Sequence, residues 1–337
     1  MKRVFALVMV LGLLMGLGAC ADLSGFAPEE IKIAIGMGSK NHPVHCIVRY
    51  GFFQGVQEYG VTGVDAGLDN GSTRELQENF TKAITEQGVH GMLLWAADDT
   101  FYQFMRDMTA EHGTVFVVPH FKHDYVETKD FISANLYADD AARGMAAADL
   151  IVEELHRRGI VEGSLGITQA GAGVAPNIAG DAFRKRIAEI SNFRVCDIVF
   201  EGLELSEAAV KCVGVIHSNS DIVGAFGTTG GSAQSWTKAM EETGRTDLVV
   251  VAYDYSEKNL EKLENGPIHA LVSAPLYEEG YDSVGIIKDV LDGKTYNDSE
   301  ENWSKVHDAI TLTKDSDLKP YHDLINQATR YLGGDGT

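Results

Sequence analysis

Apolar and polar positions fall into two alternating rhythms along the chain. Short apolar runs at Ile31–Met37, Gly63–Leu68, Gly91–Leu94 and Thr114–Val118 read as buried strands. The stretches between them, Val44–Tyr59, Ser72–Gln87 and Thr100–His112, repeat their apolar residues at helical spacing. Apolar strands separated by amphipathic helices predict parallel βαβ units. A second series follows at Ser164–Thr168, Arg194–Phe200, Ile222–Phe226, Leu248–Tyr253 and His269–Val272, again with helices between the runs. The pattern predicts an α/β protein of two doubly wound parallel-sheet lobes. Near the end, Leu276–Leu291 reads as a helix after Ser273-Ala274-Pro275, Val306–Leu312 as a short strand and Pro320–Tyr331 as a terminal helix. The acidic run Asp298-Ser299-Glu300-Glu301 reads as an exposed loop.

The first twenty residues follow a different rule. Lys2 and Arg3 precede an apolar run from Val4 to Leu17, and Leu17-Gly18-Ala19-Cys20 closes it. A basic start, a short apolar stretch and small residues before a cysteine make an export signal of lipoprotein type over residues 1–19, resembling a bacterial lipobox. The mature chain is then expected to begin at a lipidated Cys20; the alternative is an ordinary signal cut near Ala19 or Ala21. The apolar run is shorter than the roughly 20 residues a spanning helix needs. The expected form is a soluble body in the periplasm or at the cell surface, anchored to a membrane by its N-terminal lipid, after a short linker over Asp22–Glu29.

Length and charge narrow the partners. A chain of 337 residues exceeds the size at which one core keeps growing, so two domains are expected. Net charge is −21, and loss of residues 1–19 removes Lys2 and Arg3 but no acid, which brings it to −23. Such a surface repels nucleic acid and anionic headgroups, so neither is a partner.

Chemistry-bearing motifs are few. With Cys20 assigned to lipid, Cys46, Cys196 and Cys212 form an odd set without a CxxC pair, which is neither a disulfide framework nor a zinc site; Cys196 and Cys212 could still pair, with buried free thiols the simpler reading. No GxSxG, P-loop or HExxH occurs, so no enzyme and no cofactor are expected. The carboxylate pair Asp98-Asp99 reads as a helix start. Gly171-Ala172-Gly173 has proline where a dinucleotide loop needs its third glycine. The HxxH pairs His42/His45 and His120/His123 could hold zinc only if they converged across a cleft, and no metal site is assigned.

Several landmarks recur in a particular order: Ser39-Lys40-Asn41-His42-Pro43 after the first strand, Gly91-Met92-Leu93-Leu94-Trp95, Val117-Val118-Pro119-His120 and Ala134-Asn135-Leu136-Tyr137. In the second series Gly171–Asn177 opens a helix, Thr228-Thr229 follows Ile222–Phe226, Tyr253-Asp254 follows Val249–Ala252, and Pro275 follows Ala270–Val272. Over about residues 30–315 this resembles the ribose-binding-protein-like periplasmic binding proteins, substrate-binding proteins of ABC sugar importers with the type I fold. The resemblance implies three crossovers, near Asn135, Ala274 and Asn297. It implies an N-terminal lobe of residues 30–135 plus 275–297, and a C-terminal lobe of residues 136–274 plus 298–334. The ligand would be clasped between them, where open α/β sheets bind ligands.

Carried onto this sequence, the resemblance implies ligand contacts from His42, Val44, His45, Trp95, His120, Asn177, Thr229, Asp254 and Tyr277, with Tyr255 alongside. Each has a plainer reading: capping or packing for the histidines, core for Trp95, and a helix N-cap for Asp254. Two departures bear on the ligand. Pro119-His120 stands where many members carry Asp-Arg, and Asn177 where an arginine is usual. A strongly anionic ligand is thereby disfavoured, and Asp254 is expected to lack a cationic partner. The expected ligand is a neutral sugar, polyol or cyclitol, with a nucleoside second. The expected partner is an ABC permease, the alternative being a chemoreceptor or sensor kinase to which the chain presents a sugar-like signal.

Overall fold

A computed structural model of the protein describes residues 30–333 apart from positions 41, 70, 71, 98, 170, 172, 173 and 203. The export signal, Cys20, the linker over residues 22–29, Asp98, and Ala172 and Gly173 lie outside the described residues.

The first series runs β1 (Lys32–Gly36), α1 (Pro43–Glu58), β2 (Thr62–Asp65), α2 (Thr73–Thr85), β3 (Gly91–Leu94), α3 (Tyr102–His112), β4 (Val115–Pro119), α4 (Tyr125–Thr128) and β5 (Ala134–Ala138). The second runs α5 (Asp140–Arg157), β6 (Ser164–Gln169), α6 (Val174–Ile190), β7 (Arg194–Phe200), α7 (Leu205–Ser218), β8 (Ile222–Gly227), α8 (Ser232–Thr243), β9 (Val249–Tyr253), α9 (Glu257–Glu264) and β10 (Ile268–Ser273). Last come α10 (Leu276–Leu291), α11 (Glu300–Trp303), β11 (Ser304–His307), β12 (Ile310–Thr313) and α12 (Lys319–Leu332).

Two six-stranded sheets result, β2-β1-β3-β4-β5-β11 and β7-β6-β8-β9-β10-β12, with the same strand order. Every neighbouring pair is parallel except β10 with β12. The two doubly wound lobes expected from the alternating pattern are present, as a type I periplasmic binding protein fold. In each sheet the winding reverses beside the first strand, between β1 and β3 and between β6 and β8, which opens a crevice at the carboxyl ends of the strands. Phe80, Phe104, Met105 and Phe116 fill the first lobe's core, and Ile151, Leu155, Phe183 and Phe226 the second's.

The chain passes between sheets at Ala138-Asp139, at Ala274-Pro275 and at Asp308-Ala309. The strand expected over Val306–Leu312 is therefore two strands, β11 in the first sheet and β12 in the second. The third crossover moves from near Asn297 to Asp308, and residues 298–307 join the first lobe. Trp303 pins them there, its indole N–H donating 2.8 Å to the Ile132 carbonyl. Two half-buried edge strands in one extended run look like a single strand in sequence, which is why the division was invisible.

The terminal helix was expected in the second lobe but touches both. Tyr50 and Gln57 of α1 bond Gln327 and Tyr331, while Tyr321 packs on Tyr255 and His322 on Glu257.

Each crossing helix docks by the same device. A methyl group at Gly280 of α10 would overlap the Val48 carbonyl oxygen of α1, and one at Gly144 of α5 would overlap that of Ala179 in α6. Only glycine lets the two backbones approach so closely.

Candidate functional site: the cleft between the lobes

At the carboxyl ends of β1, β3 and β4 the first lobe builds a wall of rings. Pro43 occupies the first helical position of α1, so His42 stands at its N-cap, yet the imidazole makes no capping bond. His42 lies 4.8 Å from His45, ring centre to ring centre, and His45 lies 5.1 Å from Trp95. Trp95 stacks on His120 at 4.3 Å and 23°, and Phe121 meets the indole edge-on at 5.7 Å. Trp95 is only partly buried and belongs to this wall, which rules out the core reading.

The protonation states follow from the surroundings. His45 Nδ1 lies 2.6 Å from the Ser39 carbonyl and donates to it, so Nε2 keeps its lone pair. Burial, followed by the neighbouring His42, lowers the His45 pKa to about 3. Burial lowers His42 as well, partly opposed by the Asp254 charge. His120 differs: burial disfavours its charged ring, but the Glu279 carboxylate, whose Oε2 is 3.1 Å from Nδ1, outweighs that and raises its pKa.

Across the cleft the second lobe presents oxygens and one guanidinium. Asp254 follows β9 and is buried. The N-cap of α9 is Ser256, so Asp254 is not spent as a cap. Ser273 Oγ donates 3.2 Å to Asp254 Oδ1, and Arg143 Nη1 stands 4.0 Å from the same oxygen. The expectation that Asp254 lacks a cation is thus overturned. Arg143 comes from the first turn of α5, at no position where the family resemblance placed an arginine. It also bonds Asp140 and lies 4.5 Å over the Tyr253 ring.

His120 and Asp254 occupy equivalent positions, each just after the fourth strand of its series. They are the only non-glycine residues among those described with positive φ, 76° and 61°. Each backbone N–H reaches the neighbouring strand, His120 to Leu136 at 2.7 Å and Asp254 to Val272 at 3.0 Å. Left-handed backbone at non-glycine residues costs about 1–3 kcal/mol and gathers at ligand-holding sites.

The other expected residues separate into those that join the cleft and those that do not. Val44 joins: a methyl built on Gly230 of the second lobe would sit 3.0 Å from Val44 Cγ2, 3.4 Å from His42 and 3.6 Å from Asp254 Oδ2. The two lobes meet at that point. Thr229 is buried beside it, but its hydroxyl donates 3.1 Å to Glu201 and contacts Ser232 at 2.9 Å. Asn177 lies exposed on the first turn of α6. Tyr277 turns toward Tyr50 and Tyr281, on the flank of α10 that faces α1. Tyr255 is buried against Tyr321 of α12. His123 bonds Tyr102 and the Ala96 carbonyl, so the two HxxH pairs do not converge. No group of three or more His, Cys, Asp or Glu able to hold a metal occurs among the described residues, and Cys46, Cys196 and Cys212 are free thiols.

Sequence reading missed Arg143, Asp140, Glu279, Tyr253 and Glu201. The first four share a signature of unmet bonding: Asp140 Oδ2, Arg143 Nε and Nη1, Tyr253 Oη and Glu279 Oε1 are buried without a hydrogen-bond partner, as is Nδ1 of the expected His42, whereas Glu201 accepts from Thr229, Ser232 and Ser235. Buried polar atoms seldom stay unpaired, so a cluster of them marks where a ligand or ordered water completes the structure.

Comparisons agree with this fold. Residues 33–295 match the model of the periplasmic binding protein domain. No curated protein matches the chain by sequence. Among solved structures, a carbohydrate transporter solute binding protein from Agrobacterium radiobacter, in complex with D-arabinose, superposes with TM-score 0.76 at 19% identity, covering 89% of this chain and 100% of that one. GanP, a glucose-galactose binding protein from Geobacillus stearothermophilus, gives 0.75 at 17% identity over 86% and 99%. XylFII, also solved in complex with LytSN, gives 0.72 at 20% identity over 86% and 100%. At such identities the likeness is one of fold. No described helix is long and apolar enough to cross a membrane. With both lobes, their crevice and the domain match in place, the chain belongs to the periplasmic binding protein family, whose members bind solutes outside the cytoplasm.

Proposed function

We propose that this protein is a lipid-anchored binding protein that delivers a small neutral polar solute to an ABC importer. One observation carries the reading: a wall of stacked rings in one lobe faces a wall of oxygens in the other, with unpartnered buried polar atoms between them. A ring face takes the C–H side of a sugar or a flat heterocycle, and a carboxylate takes hydroxyl or N–H donors. Neutral pentoses, deoxy-sugars, polyols and cyclitols suit both walls, and nucleosides come second. The mechanism is closure. A ligand bonded to both lobes stabilises the closed shape, which the permease then reads.

Two measurements test it. A thermal-shift screen of about a hundred sugars, polyols, nucleosides and amino acids should give hits, since a ligand at 100 times its Kd stabilises by about 2.7 kcal/mol. Small-angle scattering with a hit should show compaction. Hits confined to dicarboxylates, or an envelope that ignores its ligand, would defeat the reading. Lipidation rests on Leu17–Cys20, and mass spectrometry of the membrane fraction decides it.

A second reading is favoured by one comparison. XylFII is known in complex with LytSN, and a module of this fold can present its ligand to a sensor protein instead of a permease. Neighbouring genes for an ATPase and a permease would point to transport, and a neighbouring histidine kinase to sensing.

A further inference from the structure

We propose that Arg143 is a specificity-determining residue of the cleft, and that with Asp254 it reads two adjacent oxygens of a neutral ligand. One oxygen accepts from the guanidinium, and the neighbouring hydroxyl donates to the carboxylate. The inference rests on the cleft being the binding site.

Three observations support it. Arg143 is 1% exposed, and two of its nitrogens, Nε and Nη1, lack partners. A buried guanidinium with idle donors needs acceptors at those atoms. Second, Nη1 and Asp254 Oδ1 are 4.0 Å apart, longer than a direct hydrogen bond, so donor and acceptor are presented side by side instead of consuming each other. Neighbouring oxygens of a vicinal diol, or a ring oxygen beside its anomeric hydroxyl, offer the complementary acceptor and donor. Third, Asp254 is braced for this role by Ser273 and by its left-handed backbone.

Charge decides against the obvious alternative, an anionic ligand clamped by arginine. Asp140 and Asp254 already oppose the single guanidinium, and Glu279 already opposes His120. A carboxylate or phosphate entering here would meet three acids and two cations. Arginine in this cleft therefore works as a directional donor to neutral oxygen, not as a counter-ion.

The test uses the full mature chain with D-arabinose, D-ribose, D-xylose, D-fucose and myo-inositol as neutral probes and succinate as the anion. Titration calorimetry should find at least one neutral probe bound and succinate unbound. Arg143→Lys keeps the charge but loses the planar donor edge, and should weaken the bound probe at least tenfold. Arg143→Met with Asp140→Asn removes a matched pair of charges, guards against misfolding, and should weaken it at least thirtyfold. A folded double variant that binds like the parent, or tight succinate binding lost in Arg143→Lys, would overturn the inference while leaving the cleft as the site. Binding unchanged in Asp254→Ala as well would instead overturn the cleft itself.

Discussion

The two lobes share a strand order, a crossing helix docked through glycine, and a strained residue after the fourth strand, yet they meet the cleft with opposite chemistry. His120 in the first lobe pairs with Glu279, the fourth residue of the crossing helix α10. Asp254 in the second lies beside Arg143, the fourth residue of the crossing helix α5. The signs are inverted at equivalent places. One scaffold thus yields a stacking wall and a hydrogen-bonding wall through the residue chosen at each strand end, which is how a shared fold takes on a particular ligand.

The largest expected effect separates those walls. Asp254→Ala removes a charged acceptor and leaves Arg143 more exposed to unmet bonding, so a bound neutral sugar should weaken by about 100-fold, in line with 1.5–3 kcal/mol for hydrogen bonds to charged groups. Trp95→Ala removes stacking alone and should cost about tenfold, from the 0.5–1.5 kcal/mol of an aromatic contact. Calorimetric titration of both variants checks the ranking. A Trp95→Ala loss larger than that of Asp254→Ala would reverse the assignment of the walls.

Next comes the joint the lobes have in common. A methyl at Gly144 or Gly280 meets a carbonyl oxygen of the facing helix, and relieving it requires the helices to move apart. Such overpacking costs about 1–3 kcal/mol. Gly144→Ala and Gly280→Ala should each lower the urea midpoint by a similar amount. If only one of them does so, the joints are not equivalent.

These joints show what the sequence could and could not convey. The two series of parallel βαβ units followed from apolar runs alternating with amphipathic helices, because burial on both faces forces that pattern. Trp95, His120 and Asp254 were legible because they end strands, where an α/β crevice must lie. Arg143-Gly144 and Glu279-Gly280 sit four residues into their helices, where a charged residue looks like one of the solvated face. Their burial depends on which helix crosses to which sheet, a tertiary fact. Asn177 and Tyr277 illustrate the reverse: they were chosen by position along the chain, and the structure leaves Asn177 exposed and packs Tyr277 on Tyr50.

A pH series sharpens the comparison further, because only the first wall carries imidazoles. His45 has a folded pKa of about 3 against roughly 6.5 unfolded, so the unfolded chain takes up the proton first. Its contribution to stability is complete above pH 6.5 and drains away as pH falls toward 3. His42 acts in the same direction. His120, raised by Glu279, acts in the opposite one: its contribution is complete below pH 6.5 and is lost as pH rises through the folded value. Urea unfolding of the parent should therefore show about 1–2 kcal/mol less stability at pH 5 than at pH 7. His45→Gln should flatten that slope, and Glu279→Gln should steepen it. An unchanged slope in His45→Gln would mean that the ring is not held neutral by the wall.

The smallest effect concerns the helix that joins the lobes the comparison sets apart. In α12, His322 lies 3.1 Å from Glu257 and 3.3 Å from Glu264 of the second lobe, while Gln327 and Tyr331 reach Tyr50 and Gln57 of the first. Burial is the largest single influence on His322 and lowers its pKa, but the Glu257 and Glu264 carboxylates together outweigh it and raise the value. Its contribution is accordingly present below about pH 6.5 and lost as pH climbs past the folded value. Both carboxylates are substantially exposed, so solvent screens the pairing and limits it to about 0.2–1 kcal/mol. His322→Gln should lower the Tm by a few degrees at most at pH 6 and leave it unchanged at pH 9, with raised salt shrinking the difference at pH 6. Tyr331→Ala, which loosens the first-lobe end of the same helix, should lower the Tm equally at both pH values. If both variants follow the same pH profile, α12 is held as one unit and not separately by the two lobes.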